Sequence, residues 1–245
     1  MLKNPRVRRR FPGSAPEPST ADRLLDGAEA VICRARVFTD VTVRAIAAET
    51  GANVSAIAYH FGSLEGLVAA VAARVYDRLN AERLADLKQA TDRSHPDLPP
   101  LDQVIAALVG PSVRWSLDPH SPYPVLTYLN RMLVMSEAPE NYEAIIEKVD
   151  HHRAFVHILH RLAPWFDRVE IGWRLNAALG IRSQVLRQRR RSAILTEQVM
   201  DLSDPQAVTD AIVDVILPMF APPDRRQSLV QTPFERRHHS ATKRS

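Results

Sequence analysis

Two glycines constrain this chain more than anything else in it. They cut the run TVRAIAAETGANVSAIAYHFGSLEGLVAAV, Thr42 to Val71, into segments too short to be stable alone. Isolated helices below about 12–15 residues are marginal in water, so each piece must bury an apolar face against its neighbours. Thr42 is placed to cap a first short helix, with Val43, Ile46 and Ala47 on one face. Gly51 ends it and turns the chain. Asn53 caps the second, whose inward positions are Ala56 and Ile57, with His60 or Phe61 next. Gly62 stops that helix, and Ser63 caps a third that carries Leu67, Val68 and Val71 inward. Two short helices joined by a turn of about three or four residues make a helix-turn-helix. The isolated pattern equally allows a helical hairpin in an ordinary core.

The outer face of the second helix is the one a DNA-binding reading would use. Asn53, Val54, Ser55, Ala58 and Tyr59 are small or hydrogen-bonding, and none is charged. A helix entering a major groove about 12 Å wide needs small side chains near its N-terminus. Ser55 can bond base edges, Val54 and Ala58 can touch thymine methyls, and Tyr59 and His60 end the helix with donors for phosphate oxygens. Arg44 points outward near the start of the preceding helix.

The strings LLDGAEAVICRA (Leu24 to Ala35), VTVRAIAAETGAN (Val41 to Asn53) and AIAYHFGSLEGL (Ala56 to Leu67) resemble the DNA-binding domain of the tetracycline-repressor (TetR) family of bacterial transcription regulators. The YHFGS-x-E-x-L string is the most specific of them. The match covers roughly residues 20 to 75. The resemblance implies a braced helix-turn-helix in which Thr42 and Arg44 contact phosphate and Asn53 to His60 read the groove. Two departures stand out. Leu64 occupies a position where family members usually carry lysine, which removes one phosphate contact and lowers affinity without changing base choice. The connection RARVFTDVT also lacks the usual glycine and runs one residue longer.

High-propensity helix formers dominate, above all Ala, Leu and Arg, and no sustained period-two alternation occurs, which predicts an all-α chain. One cysteine, Cys33, excludes an internal disulfide framework and fits a reducing cytosol. It reads as a small buried hydrophobe. No apolar run reaches the ~18 residues that span a membrane. Arg8 to Phe11 suggest a twin-arginine signal, but a polar stretch follows where an apolar core is required. Residues 1–18 carry five basic side chains against Glu17, and residues 222–245 carry six against Asp224 and Glu235. Each tail therefore nets +4, leaving −4 for the body of a chain whose total is +4. Both tails read as disordered. A basic arm ahead of a DNA-binding helix can track phosphates or enter a minor groove; a solubilising leader explains the same composition.

A first helix is expected from Ser19 or Thr20 to about Arg34, with Leu24, Leu25, Ala28, Val31 and Ile32 inward. The helix after Ser63 is expected to run to about Ala90, marked by Leu67, Val71, Val75, Leu79, Leu84 and Leu87. SHPDLPP (Ser94 to Pro100) breaks it. Further helices follow: one from Leu101 with a kink at Gly110-Pro111, then Pro124 to Ser136, Glu140 to Ala163, Asp167 to about Arg191, and Pro205 to Phe220. The last two are strongly apolar. Ile171, Leu175, Leu179, Gly180, Leu186, Ile212 and Ile216 are assigned to a homodimer interface, a four-helix bundle being what the family resemblance implies. Trp115, Tyr128, Met132, Met135 and His152 are the candidates for a small-molecule cavity, where methionine adapts to varied ligands; plain core is the competing assignment. His151, His152, His157 and His160 lack the HExxH arrangement that binds zinc, so neither a metal nor a cofactor is expected. No GxSxG, P-loop or GxGxxG supports an enzyme.

The expected architecture is a basic arm (1–18), a three-helix DNA-binding domain (19–77), a helical ligand-binding and dimerisation domain (78–221) and a basic tail (222–245). The expected function is a cytoplasmic regulator, a repressor, that binds palindromic double-stranded DNA as a homodimer and is released by a small molecule. A helical adaptor, or an enzyme using the His151 to His160 cluster, is the alternative.

Overall fold

Side chains that accept from free backbone N–H groups mark where the N-terminal helices begin. In the computed structural model, which describes residues 18–135 and 150–223, helix α1 spans Thr20–Arg34 and opens with a capping box. Ser19 Oγ accepts from Asp22 N at 3.1 Å, and the Asp22 carboxylate accepts from Ser19 N at 3.3 Å. Thr42 Oγ1 accepts from Ala45 N (3.1 Å) to open α2, Val43–Thr50. Asn53 Oδ1 accepts from Ser55 N (3.1 Å) at α3, Val54–Phe61, and Ser63 Oγ from Gly66 N (3.0 Å) at α4, Leu64–Ser94. Each such cap contributes about 1 kcal/mol. Gly51 and Gly62 take φ of +64° and +75°, where a side chain would be strained.

Beyond the break at 95–100 come α5 (Leu101–Leu117), α6 (Tyr123–Met135), α7 (Asp150–Leu162), α8 (Arg168–Arg187), α9 (Arg189–Leu195) and α10 (Pro205–Ile216). Short 3-10 turns lie at Phe38–Asp40 and Leu217–Phe220. No strand occurs among the described residues. Two helices differ from expectation. The linker α4 runs a turn further, to Ser94, and the helix expected from Asp167 to Arg191 is two, divided at Gln188. α5 is one helix with Gly110 and Pro111 buried inside it. Ser136 and the Glu140 to Val149 part of the next expected helix lie outside the described residues, as do 1–17 and 224–245 of the basic tails.

Two apolar clusters organise the packing, and α4 passes through both. The first joins Leu24, Ile32, Ile46, Ile57, Leu67 and Val71 from α1 to α4 with Val125, Leu129 and Met132 of α6. The second joins Leu87 of α4 to α5, α7, α8 and α10 through Leu108, Phe155, Leu175, Ile212 and neighbours. Within the first, Gly27 admits α2 so closely that a Cβ there would meet Thr50 Cγ2 at 2.1 Å. The long connection after α1 has a structural role. Asp40 accepts from the N–H groups of Arg36 and Val37, and Phe38 then stacks on Tyr128 of α6 at 4.6 Å and 12°. The Arg131 guanidinium lies 4.6 Å from the Phe38 ring centre. Phe38 in this connection therefore docks the helix-turn-helix on α6.

Leu84, expected inward, is 38% exposed, whereas Arg83 beside it is 1% exposed. Hydrophobic spacing misassigns this turn of α4 because the inward position there holds a charge.

Candidate nucleic-acid interface

The fold turns one face of α3 inward and leaves the other uncovered. Ile57 is buried, while Tyr59 is 85% exposed and Val54, Ser55, Ala58 and His60 are exposed with it. Tyr59 and His60 meet edge-to-face at 4.9 Å. The α3–α4 corner bends by 67°, so the short helix projects from the bundle. A Cβ on Gly66 would stand 2.1 Å from the Phe61 carbonyl oxygen, which fixes glycine at this corner. The Asn53 carbonyl oxygen is used in capping, leaving its amide N–H groups for a ligand. Thr42 also caps with its oxygen and keeps a hydroxyl proton to donate. Residues 19–77 hold five arginines and no lysine. Arg34 is paired with Glu49, and Arg74 with Asp26 and Glu29. Arg44 is exposed and forms no ion pair among the described residues. Thr42, Arg44 and the α3 face thus offer donors, small apolar groups and one free cation, the inventory for phosphate contact and base-edge contact.

Residues 24–71 match the model of bacterial regulatory proteins of the tetR family, and residues 106–217 match that of the tetracyclin repressor-like C-terminal domain. Together these models cover about two thirds of the chain. The chain belongs to the tetR family. It is a DNA-binding transcription regulator and not an enzyme. No curated protein matches it. Among solved structures, the multidrug binding protein EbrR complexed with imidazole is 17% identical, with a TM-score of 0.53 over 86% of this chain and 100% of that one. A transcriptional regulator from Pseudomonas aeruginosa PAO1 is 20% identical, with a TM-score of 0.55 over 82% and 91%. The regulator FadR from Bacillus subtilis, in complex with stearoyl-CoA, is 13% identical, with a TM-score of 0.52 over 79% and 96%. At these identities the likeness is one of fold.

In this tetR-family chain the residues expected to line a cavity do not converge. Met132 is buried in the first cluster against α1 and α4, and Tyr128 is stacked on Phe38. Trp115 packs against the same cluster and donates its Nε1 proton to Glu82 at 2.8 Å, while Met135 is 58% exposed. Their spacing reports an apolar face correctly, but that face holds α6 to the DNA-binding helices. Only His152 points into a polar interior. Its Nε2 lies 3.0 Å from Nε2 of His151, so one ring donates and the other accepts, and both cannot be protonated. Burial, together with Arg83, pushes His151 down to about 4. Burial and His151 push His152 down to about 3. Around them sequence reading missed Arg83 and Arg182, two inward cations within otherwise apolar helical spacing. Among the described residues no three His, Cys, Asp or Glu side chains are grouped to hold a metal. Cys33 is half-buried, and burial, with Glu29 nearby, pushes its thiol up, away from the reactive thiolate.

The expected dimer face also needs correction. Ile171, Leu175, Leu186, Ile212 and Ile216 are covered within the chain's own second cluster. Leu179 is half-buried, and Gly180 is exposed with open space before it. The outward apolar side chains of α8 and α10 are instead Val169, Trp173 and Val215, each at least 60% exposed. An amphipathic stripe shows that a face is buried without showing against what.

No single described helix is long and apolar enough to cross a membrane.

Proposed function

We propose that this regulator is a cytoplasmic repressor that binds a palindromic operator as a homodimer and leaves it when a small molecule occupies the C-terminal domain. The observation that carries the reading is the exposed, uncharged face of α3 together with an exposed Arg44 that forms no ion pair among the described residues. Ser55, Val54 and Ala58 contact base edges, and Asn53 contributes its amide N–H groups. Thr42, Arg44, Tyr59 and His60 hold phosphates. A single reading helix makes few contacts, so two half-sites about one helical turn apart are needed. The second head comes from a partner packed through Val169, Trp173, Leu179 and Gly180 of α8 and Val215 of α10. Val169, Trp173 and Val215 are each at least 60% exposed, and a Cβ on Gly180 would meet nothing within 4 Å. The basic tails add charge that a head with so few free arginines lacks.

Release by a small molecule is supported by proteins of the same fold. One is described as multidrug binding and was seen with imidazole, and another holds stearoyl-CoA. An effector acts only if it binds the DNA-free conformation more tightly. The reading is tested by selecting genomic fragments with the purified full chain at moderate salt and footprinting the winner. A protected palindrome with two half-sites about one turn apart is expected. Enrichment no greater than for bulk DNA would refute operator recognition.

A further inference from the structure

Five helices converge on a polar cluster between the two apolar ones, in which two guanidiniums form no ion pair among the described residues. Arg83 of α4 is 1% exposed; its Nη1 donates to Asn80 Oδ1 and its Nη2 to Ser112 Oγ, both at 2.8 Å. Arg182 of α8 donates from Nη1 to the same Ser112 Oγ at 2.7 Å and from Nη2 to Ser183 Oγ at 2.9 Å. Two guanidiniums thus converge on one neutral hydroxyl, itself buried on α5. The Nε of each is enclosed and lacks an acceptor. Arg74 also has an unpartnered Nε, but its other nitrogens meet two carboxylates. Arg83 and Arg182 form no ion pair among the described residues.

Among the described residues, no carboxylate is bonded to either guanidinium. Burial pushes Arg83 down, and the hydroxyls of Tyr76 and Tyr123 offset only part of this. Burial, and then Arg83 itself, push Arg182 down to about 10, which leaves it a cation at neutral pH; the guanidinium of Arg83 keeps its proton as guanidiniums in proteins do. His151 and His152 stand beside them as a neutral pair. Enclosed charges are normally paired, and an unpaired guanidinium fork is the shape that binds a carboxylate or phosphate through parallel N–H bonds.

We propose that Arg83 and Arg182 form an oxyanion-binding site, and that the effector of this regulator carries a carboxylate or phosphate group held between them in place of the Ser112 hydroxyl. This rests on reading the chain as effector-responsive. The two Nε protons and the released Nη protons are its donors, and the tyrosines and histidines around them complete the site with neutral donors. Because Arg83 lies on α4, the anion pulls on the helix that carries the DNA-binding unit.

The test uses full-length protein without DNA, so it stands apart from operator recognition. Thermal unfolding is followed at neutral pH with sodium benzoate, inorganic phosphate, neutral benzamide and sodium chloride at matched ionic strength. At about 50 mM, an anion with a Kd near 10 mM raises Tm by roughly 2–4 °C through mass action. A saturable rise with benzoate identifies a carboxylate, and one with phosphate identifies a phosphoryl group; chloride and benzamide should give none. Arg182→Met should abolish the rise, Arg182→Lys should reduce it, and neither should lower the Tm of the ligand-free protein. Three results would overturn the proposal: equal shifts with benzoate and benzamide, no Arg182-dependent shift with either oxyanion, or a ligand-free Tm that falls in both Arg182 variants, which would make the arginine a structural tie. Failure to select an operator would leave these measurements untouched.

Discussion

Replacing Phe38 with alanine should loosen the DNA-binding unit from α6. The ring is half-buried, stacks on Tyr128 at 4.6 Å and carries the Arg131 guanidinium at the same distance. Removing a fully buried phenylalanine costs about 3–5 kcal/mol, so a half-buried one should lose roughly half of that. The stacked pair adds about 0.5–1.5 kcal/mol beyond area, and an exposed cation–π contact roughly 0.5 kcal/mol. The sum is about 2.5–4.5 kcal/mol, which for a chain this size lowers Tm by ~5–18 °C. Urea unfolding of Phe38→Ala, Tyr128→Ala and the double variant isolates the pair. A coupling energy of about 0.5–1.5 kcal/mol is expected. A coupling below ~0.3 kcal/mol, within the additivity of independent sites, would show that the rings touch without holding the units together. In the same variant, operator affinity should become less sensitive to effector.

Arg44→Ala should weaken operator binding and reduce the slope of log affinity against log salt by about 2 per dimer, one for each phosphate lost. Tyr59→Ala should weaken binding while leaving dimer and helicity intact; unchanged affinity in both variants would sink the assignment of this face. Gly66→Ala forces a Cβ onto the Phe61 carbonyl oxygen, and should destabilise by at least about 1–3 kcal/mol in a urea titration; a neutral result would mean that the corner yields. Acid should act through His151 and His152, whose cations burial disfavours most, with Arg83 adding to this at His151 and His151, Arg83 and Arg182 at His152, while Asp77 and Asp150 oppose it at His151. Their folded values lie below the unfolded one, so the unfolded chain takes up protons first and stability falls as pH drops from about 6.5 toward 4. The slope is up to about 1.4 kcal/mol per pH unit for each histidine. His151→Phe combined with His152→Gln should flatten that loss; parallel pH profiles would refute it.

What the sequence discloses here depends on range. The starts of α1 to α4 are legible because a cap is a bond between residues two or three apart, as at Ser19, Thr42, Asn53 and Ser63. The outward face of α3 is legible for the same reason. Partners across the fold are not. The stripe of Ile171, Leu175 and Leu186 is apolar whether it meets its own chain or a second one, and it meets its own. Tyr128 and Met132 would look alike in a cavity or against α1, and they pack in the cluster that α1 shares. Arg83 stays hidden because a charged residue in a helical pattern reads as solvated until its neighbours are known. Phe38 stays hidden because its partner lies 90 residues away.

The unbroken length of α4 has a mechanical consequence. From Arg83 back to Leu64 the helix is about 28 Å long at ~1.5 Å per residue, so a tilt of ~6° about Arg83 swings its far end by about 3 Å. Phe38, Leu129 and Met132 bind the reading unit to that arm with little slack. Small displacements at the arginine end are therefore geared up at α3, and stiffness, rather than pliancy, makes such a protein responsive.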